Sequence, residues 1–205
     1  MRSLITFVLA VTVTLAVLAA GGLWYVRTTG LRARGEASAL EAGAARGVRA
    51  WAIPADARSR SNPAARSDEV LALGRSHFAD HCAGCHANDG SGETEMGRNL
   101  FPKSPDMRQP ATQNLTDGEL FWIIENGIRF TGMPGWSTGT PEGEEASWHL
   151  VHFIRHLPDL TAAEVEVMEG MNPRPPAEIR QEIEAERFLR GDDPAPNTGA
   201  PAHVH

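Results

Sequence analysis

Hydrophobic positions form one long run near the start of the chain and short helical patterns after it. The run Leu4–Val26 holds 23 residues without a charge, enough at 1.5 Å per residue to cross a hydrocarbon layer about 30 Å thick. Trp24 and Tyr25 lie at its far end, where aromatic side chains favour a membrane interface. Residues 1–27 are therefore predicted to be an uncleaved transmembrane anchor.

A cleaved signal peptide is the alternative for this segment, because Ala19-Ala20-Gly21 supplies the small residues that a signal peptidase accepts. The apolar run continues past that point, which favours the anchor. Arginines at 27, 32 and 34 follow the run, whereas only Arg2 precedes it. Counted alone, these charges would leave the rest of the chain in the cytoplasm.

Three amphipathic patterns between 67 and 160 predict an all-α domain. The first helix is expected to begin with Ser67 as N-cap and to run toward Cys82. The second begins at the capping box formed by Thr116 and Glu119 and ends at Gly127. The third is expected to begin near Ser147 and to end before Pro158.

The flanking segments have different patterns. Residues 28–66 are rich in Ala, Arg, Gly and Ser and are predicted to be mainly a linker, in which Trp51, Ile53 and Pro54 could dock on the domain. Residues 161–191 are predicted to form a helical extension with one short and one longer helix, the first starting at the capping box of Thr161 and Glu164. Residues 192–205 are predicted to be disordered.

The candidate chemistry is concentrated in Cys82-Ala83-Gly84-Cys85-His86, which uses both cysteines of the chain. This spacing is typical of covalent c-type haem attachment. A redox dithiol, a structural disulfide and a zinc site completed by His77, His81 or His86 are the alternatives. No second Cys-x-x-Cys and no βαβ pattern accompanies the motif, which favours haem.

Residues on both sides of the motif carry a family resemblance. Gly74 and Phe78 precede it, Gly132-Met133-Pro134-Gly135-Trp136 follows it, and an aromatic-rich helix over 148–157 closes the pattern. From Ser67 to Leu157 the chain resembles a monohaem class I cytochrome c. The resemblance implies a small helical fold around one covalent haem c, in which the first and closing helices cross at Gly74 and Phe78 packs against the closing helix.

The same resemblance implies the site residues. Cys82 and Cys85 match the attachment positions, and His86 and Met133 match the two axial iron ligands. Met96 and Met107 are the rival methionines. A backbone carbonyl of Pro102 or Pro105 is expected to accept the hydrogen bond from the His86 ring.

Two further groups of histidines and three cations have competing interpretations. His149, His152 and His156 share one side of the closing helix, and His77 and His81 share one side of the first; a solvated face is favoured over zinc or copper binding for both. His203 and His205 form a weak candidate copper or zinc chelate. Arg98, Lys103 and Arg129 could reach a haem propionate, but exposure to solvent is favoured for each.

Charge and motifs limit the function. The net charge is −7, and the first 35 residues contain four arginines and no acid, so the remainder is clearly acidic. This argues against nucleic acid as a partner and permits encounter with a basic redox protein, although acidity also serves solubility. No acid–base pair or nucleophile motif indicates an independent enzyme.

The resemblance implies one-electron transfer in a periplasmic or membrane respiratory chain. Because haem attachment in the family takes place in the periplasm, we expect the domain on that side of an inner membrane, despite the arginine count. The alternatives are an electron-input subunit of a larger membrane oxidoreductase and a copper-handling haem protein that uses the tail histidines.

Overall fold

A computed structural model of the protein describes residues 2–30, 32–33, 35–174 and 176–192. Their regular structure is entirely helical, which confirms the predicted all-α class. The tail histidines His203 and His205 and nearly all of the segment predicted to be disordered lie outside the described residues. The helices are α1 (Arg2–Thr29), α2 (Ala39–Ala52), α3 (Ala55–Ser59), α4 (Asp68–His77), α5 (Ala83–His86), α6 (Glu95–Asn99), α7 (Pro110–Gln113), α8 (Asp117–Asn126), α9 (Pro141–His156), α10 (Ala162–Glu169) and α11 (Pro176–Arg190).

The N-terminal apolar run forms the single helix α1. It has 28 residues, and its most apolar window has a mean hydropathy of 2.4. None of its residues is buried against the rest of the protein. By length and composition α1 is a candidate membrane anchor.

The domain is built around the crossing of α4 and α9. A π-helical turn, Phe78–Cys82, continues α4 toward α5, and Phe78 packs against Phe153 of α9 with ring centroids 5.2 Å apart. Phe121 of α8 stacks on Trp148 at 4.0 Å. The largest fully buried side chains of this core are Phe78, Trp148, Leu150, Val151, Phe153, Leu157 and Met168.

Gly74 permits the crossing, as the resemblance implied. A Cβ atom at this position would lie 2.4 Å from the backbone oxygen of His149 and 3.0 Å from the Cβ of Phe153. Backbone atoms of a packed helix cannot move aside cheaply. The backbones of α4 and α9 can therefore approach each other this closely only because residue 74 has no side chain.

The predicted starts of the first two domain helices are confirmed, whereas that of the closing helix is wrong. Ser67 caps α4 by accepting from Val70 N, and Thr116 forms a complete capping box with Glu119. The closing helix α9 begins at Pro141 rather than near Ser147, because Thr140 accepts from Gly143 N and proline is favourable in the first helical turn.

Residues 53–66, predicted to belong to the linker, are packed on the domain. Ile53 is 1% exposed, and Asn62 Nδ2 donates to the Trp148 carbonyl at 2.9 Å. The guanidinium of Arg60 lies 4.5 Å from the centroid of the Phe121 ring and also pairs with Glu144. Of the residues considered for docking, Ile53 is buried whereas Trp51 is 85% exposed. The packing of the later residues was not predicted, because this segment has few apolar residues. We call residues 53–66 the strap.

The extension after α9 forms the short and the longer helix that were predicted. Thr161 and Glu164 form the capping box of α10, and Met168 is completely buried against the domain core. The side chain of Glu164 also reaches His156 of α9, with 2.9 Å between Oε1 and Nε2. Helix α11 has no buried residue.

We expect Gly74→Ala to lower the free energy of unfolding by about 1–3 kcal/mol, because the added methyl group forces α4 away from α9. The measurement is the denaturant midpoint of the haem-loaded full chain, followed by circular dichroism. The control is Gly43→Ala in α2, where a Cβ meets nothing within 4 Å and the midpoint should not fall. Equal midpoints for the two variants would contradict a tight crossing.

We expect Glu164→Gln to change the pH dependence of stability. Although burial acts to raise the pKa of Glu164, hydrogen bonds from Thr161 and His156 outweigh it and hold the pKa at about 2. A carboxylate with a lowered pKa stabilises the fold above its unfolded value of 4.5, and this contribution is lost as pH falls toward 2.

Solvent screens this partly exposed group, so we expect the variant to be about 1 kcal/mol less stable than the parent at pH 7, with the difference vanishing near pH 2. Unfolding midpoints across this range provide the test. Glu166→Gln removes an exposed carboxylate of the same helix and should leave the profile unchanged. A constant difference at every pH would indicate lost packing instead of lost charge.

Candidate cofactor site

The two cysteines and His86 lie on one continuous helical segment. The π-helical turn ends at Cys82, and α5 continues through Cys85 to His86, where Ala87 stops the helix with a positive φ of 59°. Both thiols are free. Two reduced thiols and an imidazole are thus presented within little more than one turn, which is the donor set that haem attachment needs.

The surroundings of the two thiols differ from those of a redox dithiol. Burial, with a smaller contribution from Cys85, raises the pKa of the Cys82 thiol to about 12, and burial also raises the pKa of Cys85. Reactive Cys-x-x-Cys pairs instead have a thiol whose pKa is lowered. The surroundings of the motif therefore argue against the thioredoxin-like alternative.

The ring of His86 is partly buried. Burial lowers the pKa of its ring, and the backbone carbonyl of Pro105 acts weakly in the opposite direction. Of the two prolines considered from the sequence, Pro105 is the one whose carbonyl influences the pKa of the ring. Its carbonyl does not reach normal hydrogen-bond geometry, and Nδ1 is a buried nitrogen without a partner. A neutral imidazole of this kind is suited to bind a metal.

Helix α6 packs directly on the motif. A Cβ atom on Gly97 would lie 2.3 Å from the Cys85 carbonyl oxygen, and the Thr94 hydroxyl donates to that same oxygen at 3.2 Å. The Gly92 amide donates to the His86 carbonyl at 2.8 Å. The loop after the motif is therefore fixed to its backbone.

Met133 lies in a turn that is pinned to the end of α8. Its amide donates to Thr131 Oγ1 at 3.1 Å, and its carbonyl accepts from Ile128 N at 3.1 Å. The Trp136 amide then donates to the Ile124 carbonyl at 2.9 Å. These bonds limit the freedom of the segment that carries the thioether.

Both flanks of Met133 touch elements that adjoin the cysteine motif. On one side, a Cβ atom on Gly132 would lie 2.6 Å from the side chain of Leu100, the residue that follows α6. On the other side, the Trp136 ring contacts the ring of His81 with centroids 5.6 Å apart. Leu100 was not predicted as a site residue, because two adjacent apolar residues, Leu100 and Phe101, form no periodic pattern.

The rival methionines occupy different surroundings. Met107 is 8% exposed and belongs to the hydrophobic core. Met96 is 59% exposed, and its sulfur lies 3.2 Å from Cys85 Sγ. Met107 therefore serves as core packing, and Met96 lies beside one of the thiols.

The expected solvated face of His149, His152 and His156 is wrong. The side chains of His149 and His156 are only 12% and 17% exposed, and His152 Nε2 lies 2.8 Å from the Ala64 carbonyl oxygen. The three histidines face different partners because α9 is covered by the strap, α4 and α10. Within the described parts of the chain, no group of three or more His, Cys, Asp or Glu side chains is arranged to hold a metal ion.

Two of the three cations considered for propionate contacts pair with carboxylates. Arg98 Nη1 lies 3.3 Å from Glu93 Oε2, and Lys103 Nζ lies 2.7 Å from Glu36 Oε1. Arg129 is exposed, as expected.

Comparison with known proteins assigns the domain that contains this site. No curated protein matches the chain. The family model described as "Cytochrome C oxidase, cbb3-type, subunit III" matches residues 69–154, which run from the start of α4 almost to the end of α9. The matched segment is therefore a c-type cytochrome domain, a type that carries covalently bound c-type haem.

Proposed function

We propose that this protein transfers single electrons through a haem attached to Cys82 and Cys85, with His86 and Met133 as axial ligands. The observation that carries the proposal is the convergence of the Met133 turn and the cysteine motif through Leu100 and through the contact of Trp136 with His81. When bound, the haem supplies a reversible Fe(III)/Fe(II) couple.

The residues of the motif fit this group. Cys82 and Cys85 are free to form thioether bonds. Nδ1 of His86 is buried and has no hydrogen-bond partner within the protein, so it is available to interact with a bound group. One ring nitrogen would bind the iron, and the other would face the Pro105 carbonyl, which fixes the tautomer.

Met133 fits the second axial position better than its rivals. Its turn approaches the motif from the chain segment after α8, whereas Met96 lies beside Cys85 and Met107 is part of the core. A thioether ligand favours the ferrous state and raises the reduction potential. With His86 and Met133 bound, the iron has no open position for a small substrate, which supports a carrier role rather than catalysis.

Helix α1 supports a location at a membrane. Its length and mean hydropathy suit a single bilayer-spanning anchor. We propose that it lies in the cell inner membrane with the cytochrome domain on the periplasmic side, where c-type haem is attached in the family. The arginines after α1 oppose this orientation, and the attachment chemistry is the stronger argument.

A second candidate function is that of an electron-input subunit in a larger membrane oxidoreductase. The family description, a subunit of a cytochrome c oxidase, favours it. The exposed helix α11 offers a surface for such an assembly. The copper-handling alternative rests on His203 and His205, which lie outside the described residues, and gains no support from the described ones.

We expect Met133→Leu to keep the haem attached but to open the sixth iron position. The reduced variant should bind carbon monoxide completely and rapidly, while the parent protein should show no response, and the reduction potential of the variant should fall. The measurement is the visible spectrum of the reduced, haem-loaded protein with and without carbon monoxide.

Met96→Leu is the matched control and should behave like the parent. Haem that remains on the chain in a denaturing gel confirms that Cys82 and Cys85 still hold it in each variant. Rapid binding of carbon monoxide to the parent, or an effect confined to Met96→Leu, would show that Met133 is not the ligand.

Native electrophoresis of membranes solubilised in mild detergent separates the two candidate functions. A free carrier should migrate as a small haem-stained band without oxygen-reducing activity. A subunit should migrate with a large complex that has such activity, and deletion of residues 176–205 tests whether α11 and the tail are needed for that association. Haem stain confined to the small band would contradict the subunit function.

A further inference from the structure

Helix α2 exposes an apolar face that the cytochrome domain leaves uncovered. Leu40, Val48 and Trp51 are 82%, 63% and 85% exposed. At 100° per residue these side chains, together with Ala44, fall within one narrow sector of the helix. We call these four residues the outer face of α2.

The opposite side of α2 is attached to the domain. Ile53, which ends the helix, is 1% exposed, and Arg49 is partly buried where its charge acts on Glu119 of α8. Ala42 lies in the same sector as these two residues and is also partly buried. The helix therefore cannot turn its outer face toward the domain without losing the buried side chain of Ile53.

The connection to α1 is too short to let this face move far from a membrane. Seven residue steps separate Thr29 at the end of α1 from Glu36, a reach of at most about 25 Å. Glu36 accepts from Lys103 of the domain at 2.7 Å, and α2 begins three residues later, where Ser38 and Glu41 form a capping box.

We propose that the outer face of α2 lies in the lipid interface of the membrane that α1 crosses. An amphipathic helix places its apolar residues about 5–10 Å into the boundary between headgroups and acyl chains, and tryptophan favours this depth. The inference rests on α1 being the proposed anchor and adds a second, surface contact with lipid.

This contact orients the cytochrome domain. The buried Ile53 joins the end of α2 to the strap, and the strap bonds to α8 through Thr116 Oγ1 and the Arg58 carbonyl and to α9 through Asn62 and the Trp148 carbonyl. The exposed pair of Glu36 and Lys103 adds a contact with the loop after α6. The domain then faces the bilayer with a defined side instead of rotating freely on a tether.

Fluorescent labels on α2 of the haem-loaded full chain test the inference. Cysteine is introduced singly by Leu40→Cys and Trp51→Cys on the outer face, and by Ala45→Cys and Arg46→Cys on other sides of the same helix. All four positions are exposed, so packing is preserved. Because Cys82 and Cys85 are occupied by haem, the parent protein should not take up the label.

The proteins are placed in vesicles of phosphatidylethanolamine with a minority of phosphatidylglycerol. Labels at 40 and 51 should be quenched about threefold more strongly by nitroxide-bearing lipid than labels at 45 and 46, which should be quenched by aqueous iodide. Each variant is also floated with the vesicles, and haem absorbance confirms that the domain is loaded.

If the protein floats with the vesicles but aqueous iodide quenches all four labels, the inference about α2 is wrong and the proposal that α1 is the anchor still holds. Failure to float would contradict the anchor and the inference together. If neither quencher reaches the labels at 40 and 51, protein and not lipid covers the outer face, and the inference is wrong. If this protection is lost when the sample is diluted with lipid, the covering protein is a second copy of this chain.

Discussion

The close approach of α4 and α9 at Gly74 fixes the geometry on which the rest of the domain depends. One end of α4 continues through the π-helical turn to the cysteine motif, so the crossing determines where Cys82 and His86 lie. On the other side, Ser147 Oγ of α9 donates to Glu125 Oε1 of α8 at 2.6 Å, just before the turn that carries Met133. The crossing and the bond between Ser147 and Glu125 thus connect the cysteine motif with the end of α8, after which the turn that carries Met133 follows.

A group of hydrogen bonds and an ion pair also connects α9 with the loop before α8. The Arg155 guanidinium donates to the carbonyls of Gln113 and Leu115 and pairs with Asp117 at 2.8 Å. In return, Gln113 Nε2 donates to the Ile154 carbonyl at 2.9 Å. Partly buried, charge-assisted bonds of this type are stronger than exposed ones. They fix a loop that has little apolar side-chain area of its own.

The sequence predicted those features that local chemistry determines. The caps at Ser67, Thr116 and Thr161 form because side-chain oxygens satisfy amides three residues ahead, whatever the tertiary context. Helix α2 was missed because alanine and arginine dominate it, although Ser38 and Glu41 carried the same capping signal. The surroundings of His149 depend on Gly74, 75 residues away, which no local pattern reveals.

On the proposal that α1 anchors the protein, contacts made before and within the strap shorten the tether between α1 and the domain. As a flexible chain, residues 28–66 would have a typical end-to-end distance of about 35 Å. While Glu36 is paired with Lys103 of the domain, only the seven steps from Thr29 to Glu36 are free, and they allow about 15 Å. A shorter tether raises the effective concentration of the domain near partners in the same membrane and lowers it for more distant ones. On the same proposal, the contacts of Ile53, Asn62 and Arg60 with the core residues of α8 and α9 both stabilise the domain and restrict the partners within its reach.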